Sequence, residues 1–132
     1  MYLFLDKFFF VFHTVIIFFN LFGWIWKKTR KFNLILLLLT AFSWFILGIW
    51  YGFGFCPSTE WHWKVRVKLE LYDMPLSYIK FFIDSITDWN VNARMVDMIT
   101  LLLFLTALIL SIIFNVKDRK LKDKQKTEIK KK

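Results

Sequence analysis

The chain has 132 residues, a mass of 16.1 kDa and a formal charge of +9, with 58% hydrophobic and 21% aromatic residues. The mean hydropathy is +0.48 despite that charge, the apolar residues stand in long blocks, and the polar segments between them are too short for a separate soluble domain. A single cysteine, Cys56, excludes an internal disulfide.

Three blocks contain no formally charged residue: Phe8 to Trp26, Phe32 to Phe55 and Met98 to Val116. Their 19, 24 and 19 residues form helices of roughly 28, 36 and 28 Å, against a hydrocarbon core of about 30 Å. Each is long enough to cross a membrane, the second with tilt. The chain therefore reads as one membrane domain over 1–116, with spans at about 8–26, 32–55 and 96–116, an outer loop at 56–95 and a basic tail at 117–132. The first block fits a cleaved signal peptide poorly. Its amino end is not clearly basic, its apolar stretch is too long, and no small-x-small cleavage site follows.

Lys27, Lys28, Arg30 and Lys31 fill the link between the first two blocks, and Lys117, Arg119, Lys120, Lys122, Lys124 and Lys126 follow the third. The positive-inside rule places both segments in the cytoplasm, which gives an N-out, C-in arrangement. Trp24 and Trp26 adjoin the inner link, while Trp50, Tyr51, Trp61 and Trp63 gather at the opposite end, as interfacial aromatic belts do.

The outer loop has two parts. From Trp61 to Leu71 apolar residues alternate with polar ones as in a strand, yet a lone strand at a membrane surface leaves its backbone unpaired. Trp61, Val65, Leu69 and Tyr72 also share one helical face, and Pro57 with Ser58 or Thr59 suits a helix start, so a surface helix is expected. In the second part Asp73 can cap, Pro75 fits an early helical position, and Leu76, Ile79, Phe82, Ile83 and Ile86 form an apolar stripe opposite Lys80, Asp84 and Thr87. Such a helix belongs on or in the outer leaflet. Asn90 and Asn92 then offer caps for the last span. The expected fold class is an all-α membrane protein with three transmembrane helices and one or two amphipathic interfacial helices. The lysine-rich tail extends the last helix, and its expected partner is an anionic leaflet rather than nucleic acid.

Polar residues within the spans are the functional clues, because an unpartnered polar group in hydrocarbon is costly and belongs in the bundle interior. His13 and Asn20 share a face of the first helix. Asp97, Thr100, Ala107 and Ser111, continued by Asn115, make a polar and small-residue stripe on the third, and Gly48-xxx-Gly52 on the second suits close helix approach. Asn20, Gly48, Gly52, Thr100 and Ser111 are therefore expected at helix contacts. With the N-terminus outside, His13, Cys56, Thr59, Glu60, His62 and Asp97 converge near the outer face. An imidazole beside a carboxylate is a proton site, and two imidazoles with a thiolate or carboxylate are a metal donor set. His13 and His62 offer two haem ligands, without an attachment motif such as Cys-x-x-Cys-His. No phosphate loop, zinc-protease or nucleophile-elbow motif is present, and no cofactor is specified.

The run Gly54-Phe55-Cys56-Pro57-Ser58-Thr59, a histidine in the first span, a Gly- and aromatic-rich end to the second, and Arg66 resemble a bacterial family of small multi-pass membrane proteins of unknown function. The resemblance extends from about Phe12 through the third span, with the Cys-Pro-x-Thr run as its distinctive part. His62 departs from it, standing near where the family has an acidic residue. The resemblance implies a helix bundle in a bacterial inner membrane without a known reaction. The leading functional expectation is a noncatalytic accessory or interaction subunit, or a self-associating bundle with a membrane-protein partner. The alternative is a metal, haem, proton or redox site at the outer face.

Overall fold

Helix formation follows the apolar blocks but reaches beyond them. The computed structural model describes residues 1–75 and 77–131. Among these, no strand forms, and three helices are long and apolar enough to cross a membrane. The first, α1, covers Tyr2–Phe22, beginning before the expected 8–26 and ending sooner. Its last turn closes at Gly23, whose N–H donates to Phe19 O at 2.8 Å. Gly23 has ordinary helical backbone angles, but an added Cβ would stand 2.5 Å from Phe19 O and 2.8 Å from Asn33 Nδ2. The absence of a side chain here serves close approach between α1 and the next helix.

The basic link turns over 23–29, where Thr29 Oγ1 donates to Gly23 O at 2.7 Å and Arg30 Nε to Trp24 O at 2.9 Å. The second helix, α2, covers Arg30–Tyr51, with a π-helical turn at Phe42–Leu47. It stops short of the expected Phe55 because Gly52 takes φ +104°, a conformation that L side chains rarely adopt. Residues beyond Gly52 fold back against α2: Ser43 Oγ donates to Phe55 O at 2.7 Å, and the Phe53 ring packs on Trp44 and Phe45.

Helix α3, Pro57–Lys68, begins with Cys56 in an extended conformation at its N-cap and Pro57 in the first turn. The helix expected over this segment forms, but the face it buries is not the apolar one. Trp61 is 60% exposed, whereas His62 and Arg66 are buried against α1. Polar contacts on α1 decide this orientation, and they are described below. Helix α4, Tyr78–Ile86, buries Tyr78 and Phe81. Of its expected apolar stripe, Ile79, Phe82 and Ile83 are half-buried, Ile86 is exposed, and Leu76 lies outside the described residues. Asp73 does not cap α4, whose N-cap position is Ser77, and pairs with Arg66 instead.

Asn92 Oδ1 accepts the N–H of Arg94 at 2.9 Å and caps α5, Ala93–Lys131. Its 39 residues make a rod of roughly 58 Å, so the tail continues the third span as one helix through Lys131.

The apolar core is small. Leu37, Phe104 and Ala107 are buried between α2 and α5, flanked by Trp24, Ala41, Trp44 and Leu108. Most large apolar side chains, Phe4, Phe8, Val15, Phe18, Ile35 and Leu102 among them, point outward. A hydrocarbon surround makes that arrangement favourable, and in lipid the interior is left for polar contacts. Asn33, fully buried on α2, donates to Phe19 O and Asn20 O of α1 at 2.6 and 3.2 Å and accepts from Ser111 Oγ of α5 at 2.8 Å. At the basic end, Arg30 grips both oxygens of Asp118 at 3.1 and 2.9 Å, and its guanidinium lies over the Phe114 ring.

A Cys–His centre beside an interhelical cleft

Helix α3 runs antiparallel along the N-terminal half of α1, and this register assembles the site. Thr59 meets His13, His62 meets Phe9 and Asp6, and Arg66 meets Asp6. Because α1 begins at Tyr2, His13 lies eleven residues along it, roughly 16 Å from the helix end. That is deeper than a first span starting at Phe8 implies.

His13 is 5% exposed, and three groups from the start of α3 converge on its Nε2: Thr59 Oγ1 at 3.0 Å, Ser58 Oγ at 3.1 Å and Cys56 Sγ at 3.6 Å. Ser58 also reaches Cys56 Sγ at 3.2 Å. The Tyr78 ring stacks on the imidazole at a centroid distance of 4.1 Å, while His13 Nδ1 is buried without a hydrogen-bond partner. Burial alone would push the Cys56 thiol up, but hydrogen bonds from His13, Ser58 and the Thr59 backbone, with the charge of His13, outweigh it and hold the thiol at about 6.

One turn along α3 a second polar group forms. Fully buried His62 contacts Asp6 Oδ1 through Nε2 at 2.9 Å. Arg66 bridges Asp6 at 3.3 Å and Asp73 at 3.1 Å, with its guanidinium over the Phe81 ring. Burial pulls His62 below the ordinary imidazole value, against the opposing pull of Asp6. Burial, reinforced by the Asp6 charge, raises the Tyr78 hydroxyl above its usual range.

The structure thus brings His13, Cys56 and Thr59 together and separates the other expected members. His62 belongs to the Asp6–Arg66 network, Glu60 is exposed and pairs with Lys64 at 3.7 Å, and Asp97 lines the cleft described next. Among the described residues no three His, Cys, Asp or Glu side chains form a group able to hold a metal ion. At the expected helix contacts, Asn20 Nδ2 donates to Thr40 Oγ1 at 3.1 Å and Ser111 joins Asn33, while Thr100 bonds its own helix at Val96 O. Gly48 lies close to its own chain, where an added Cβ would be 3.3 Å from Phe53 Cα, and a Cβ added at Gly52 would meet nothing within 4 Å, so neither glycine serves the expected close approach of another helix.

Tyr78, Asp6 and Asn33 are not singled out by the sequence, and Ser58 stands there only as a helix start and as part of the Cys-Pro-x-Thr run. Ser58 had a visible signal, since it lies on the same first helical turn as Cys56 and Thr59. Asn33 had one too, as a lone amide in a charge-free block.

Beside His13 a cleft of about 280 Å³ opens between α1, α2 and α5. Ile16, Asn20, Thr40, Trp44, Asp97 and Thr100 line it together with Cys56 and Tyr78. Long apolar helices around a polar interior, with a thiol and an imidazole held together beside an interhelical cleft, define a helical bundle of multi-pass membrane type. The family model described as Protein of Unknown function (DUF2784) matches residues 3–116, and the chain belongs to that family. Comparison with curated proteins and with solved structures gives no match.

Proposed function

We propose that the protein is a membrane thiol protein in which Cys56 acts as a nucleophilic thiolate and His13 holds its proton. The supporting observation is the convergence of Cys56, Ser58 and Thr59 on one buried imidazole nitrogen. In a reaction of this kind the thiol proton passes to Nε2, sulfur bonds to an electrophilic centre entering through the cleft, and the proton returns to the leaving group. The placement of Cys56 at the N-cap of α3 favours the thiolate, since that end carries free N–H groups and partial positive charge. The basic link and tail support an N-out, C-in orientation, and the Cys-Pro-x-Thr resemblance supports a bacterial inner membrane.

The test is the rate of Cys56 alkylation by iodoacetamide against pH, with the full chain in lipid nanodiscs. A midpoint near pH 6 is expected, against about 8.5 for an ordinary thiol. The sign follows from a lowered value: thiolate is present above pH 6 and lost below it. His13→Ala should move the midpoint above 8. A wild-type midpoint at the ordinary value would sink the reactive-thiol reading and leave the accessory-subunit reading in its place.

A further inference from the structure

The hydroxyl protons of two cleft threonines are already committed. Thr40 Oγ1 donates to Leu36 O at 2.9 Å and Thr100 Oγ1 to Val96 O at 2.7 Å, so both face an occupant as acceptors. Asn20 directs its amide N–H to Thr40, which leaves Oδ1 buried without a partner on a residue only 8% exposed. Asp97 adds a carboxylate that no ion pair among the described residues reaches. The lining contains no lysine or arginine, and Trp44, Phe53 and Tyr78 supply aromatic faces.

Acceptors, ring faces and a carboxylate without a counter-cation are the chemistry that binds a positively charged donor. The same set disfavours carboxylates and phosphates, because each would bring a second negative charge beside Asp97 with no lysine or arginine to meet it, and the charge on His13 is already taken up by the Cys56 thiolate. An alcohol would satisfy one acceptor and leave the carboxylate uncompensated. The size is that of a small molecule, just below the usual range of roughly 300–1,000 Å³ for ligand pockets.

We infer that this cleft binds a small amphipathic amine, with its protonated ammonium at Asp97 and Thr100 and its apolar chain along Ile16, Ile17 and Leu101. The inference rests on the reading that the cleft beside Cys56 is the functional part of the molecule, and it adds the class of compound that enters. Threonine and asparagine acceptors make a primary or secondary ammonium fit better than a quaternary one, which has no N–H to give.

The experiment is native mass spectrometry of the full chain released from nanodiscs, titrated in parallel with decylamine, decanol and decanoate at pH 7.5. Decylamine should form a one-to-one adduct at least tenfold tighter than either of the others, and Asp97→Asn should weaken it about tenfold. Thr100→Val provides a second variant with the charge retained, for which a smaller loss is expected. Equal binding of decanol or decanoate would overturn the inference, as would undiminished amine binding by Asp97→Asn. Cys56 alkylation, measured without amine, reports separately on the reactive thiol. A cleft indifferent to amines beside a thiol titrating near pH 6 removes the ligand class alone, and an ordinary thiol beside an amine-binding cleft removes the nucleophile alone.

Discussion

At the residue scale, Asn33 carries more of the assembly than its place in a leucine-rich segment suggests. One amide serves three helices, donating twice to α1 and accepting once from α5. Asn33→Ala removes all three bonds and leaves the buried Ser111 hydroxyl without its partner, whereas Ser111→Ala removes one. Interhelical hydrogen bonds in membranes contribute about 0.6 kcal/mol on average and up to about 2. Asn33→Ala should therefore destabilise the bundle by roughly 2 kcal/mol and Ser111→Ala by about half of that, as read from unfolding in mixed micelles. Equal losses would mean that Ser111 is the dominant partner. The meeting of His13, Cys56 and Thr59 is legible in the sequence because a polar group in an apolar block, or just after one, needs a partner. The partners of His62 are not legible, because they depend on the antiparallel register of α3 along α1. That register is set by Asp6, fifty-six residues away, and no local pattern encodes it.

At the scale of elements, the π-helical turn of α2 packs against the segment that returns to the centre. A π turn holds one residue more than the α-helix needs. Here Ser43 stands under Phe55 O and Trp44 against Phe104, beside the return segment that ends in Cys56. Deleting Ile46, an exposed residue of this turn, takes out the extra residue and leaves the helical faces on either side of it in phase. The expected result is a chain that still inserts as three helices and keeps its Cys56 alkylation midpoint near 6; a midpoint that returns toward 8.5 would show that the widened turn itself aims the return segment. Sequence reading found the three long helices from apolar length alone, which is a physical requirement of the bilayer. It could not find the π turn, since Phe42–Leu47 carries no Gly, Pro or charge to mark it. Hydrophobic periodicity marks Trp61 and Val65 but not the face of α3 that packs on α1, because that face is polar, with His62 and Arg66 against Asp6.

Across the whole molecule, charge is segregated along one long axis. The Arg30–Asp118 pair marks the basic end, and beyond it α5 projects as a lysine-rich rod of about thirteen residues, or roughly 20 Å. Against an anionic leaflet this rod should bend at the membrane surface and settle on the headgroups, each lysine near the surface contributing about 1 kcal/mol before screening. Amide exchange over 119–131 is expected to be at least tenfold slower in nanodiscs of anionic lipid than in zwitterionic ones. Replacing Lys120, Lys122, Lys124 and Lys126 by glutamine should erase that difference. Identical exchange in both lipids would mean that the tail stands free of the membrane.

The antiparallel packing of α3 on α1 also dictates an order of assembly during synthesis. The first two helices emerge and can enter the membrane before α3 exists, so for that interval His13 and Asp6 have none of the partners that later surround them. Only when Cys56 through Arg66 has crossed to the far side and turned back does the polar face of α1 become covered. The contact between Cys56 and His13 thus forms after the two helices that frame it, and the cleft beside it closes only once α5 has followed. A chain halted after its second helix would be inserted with its histidine unsheltered.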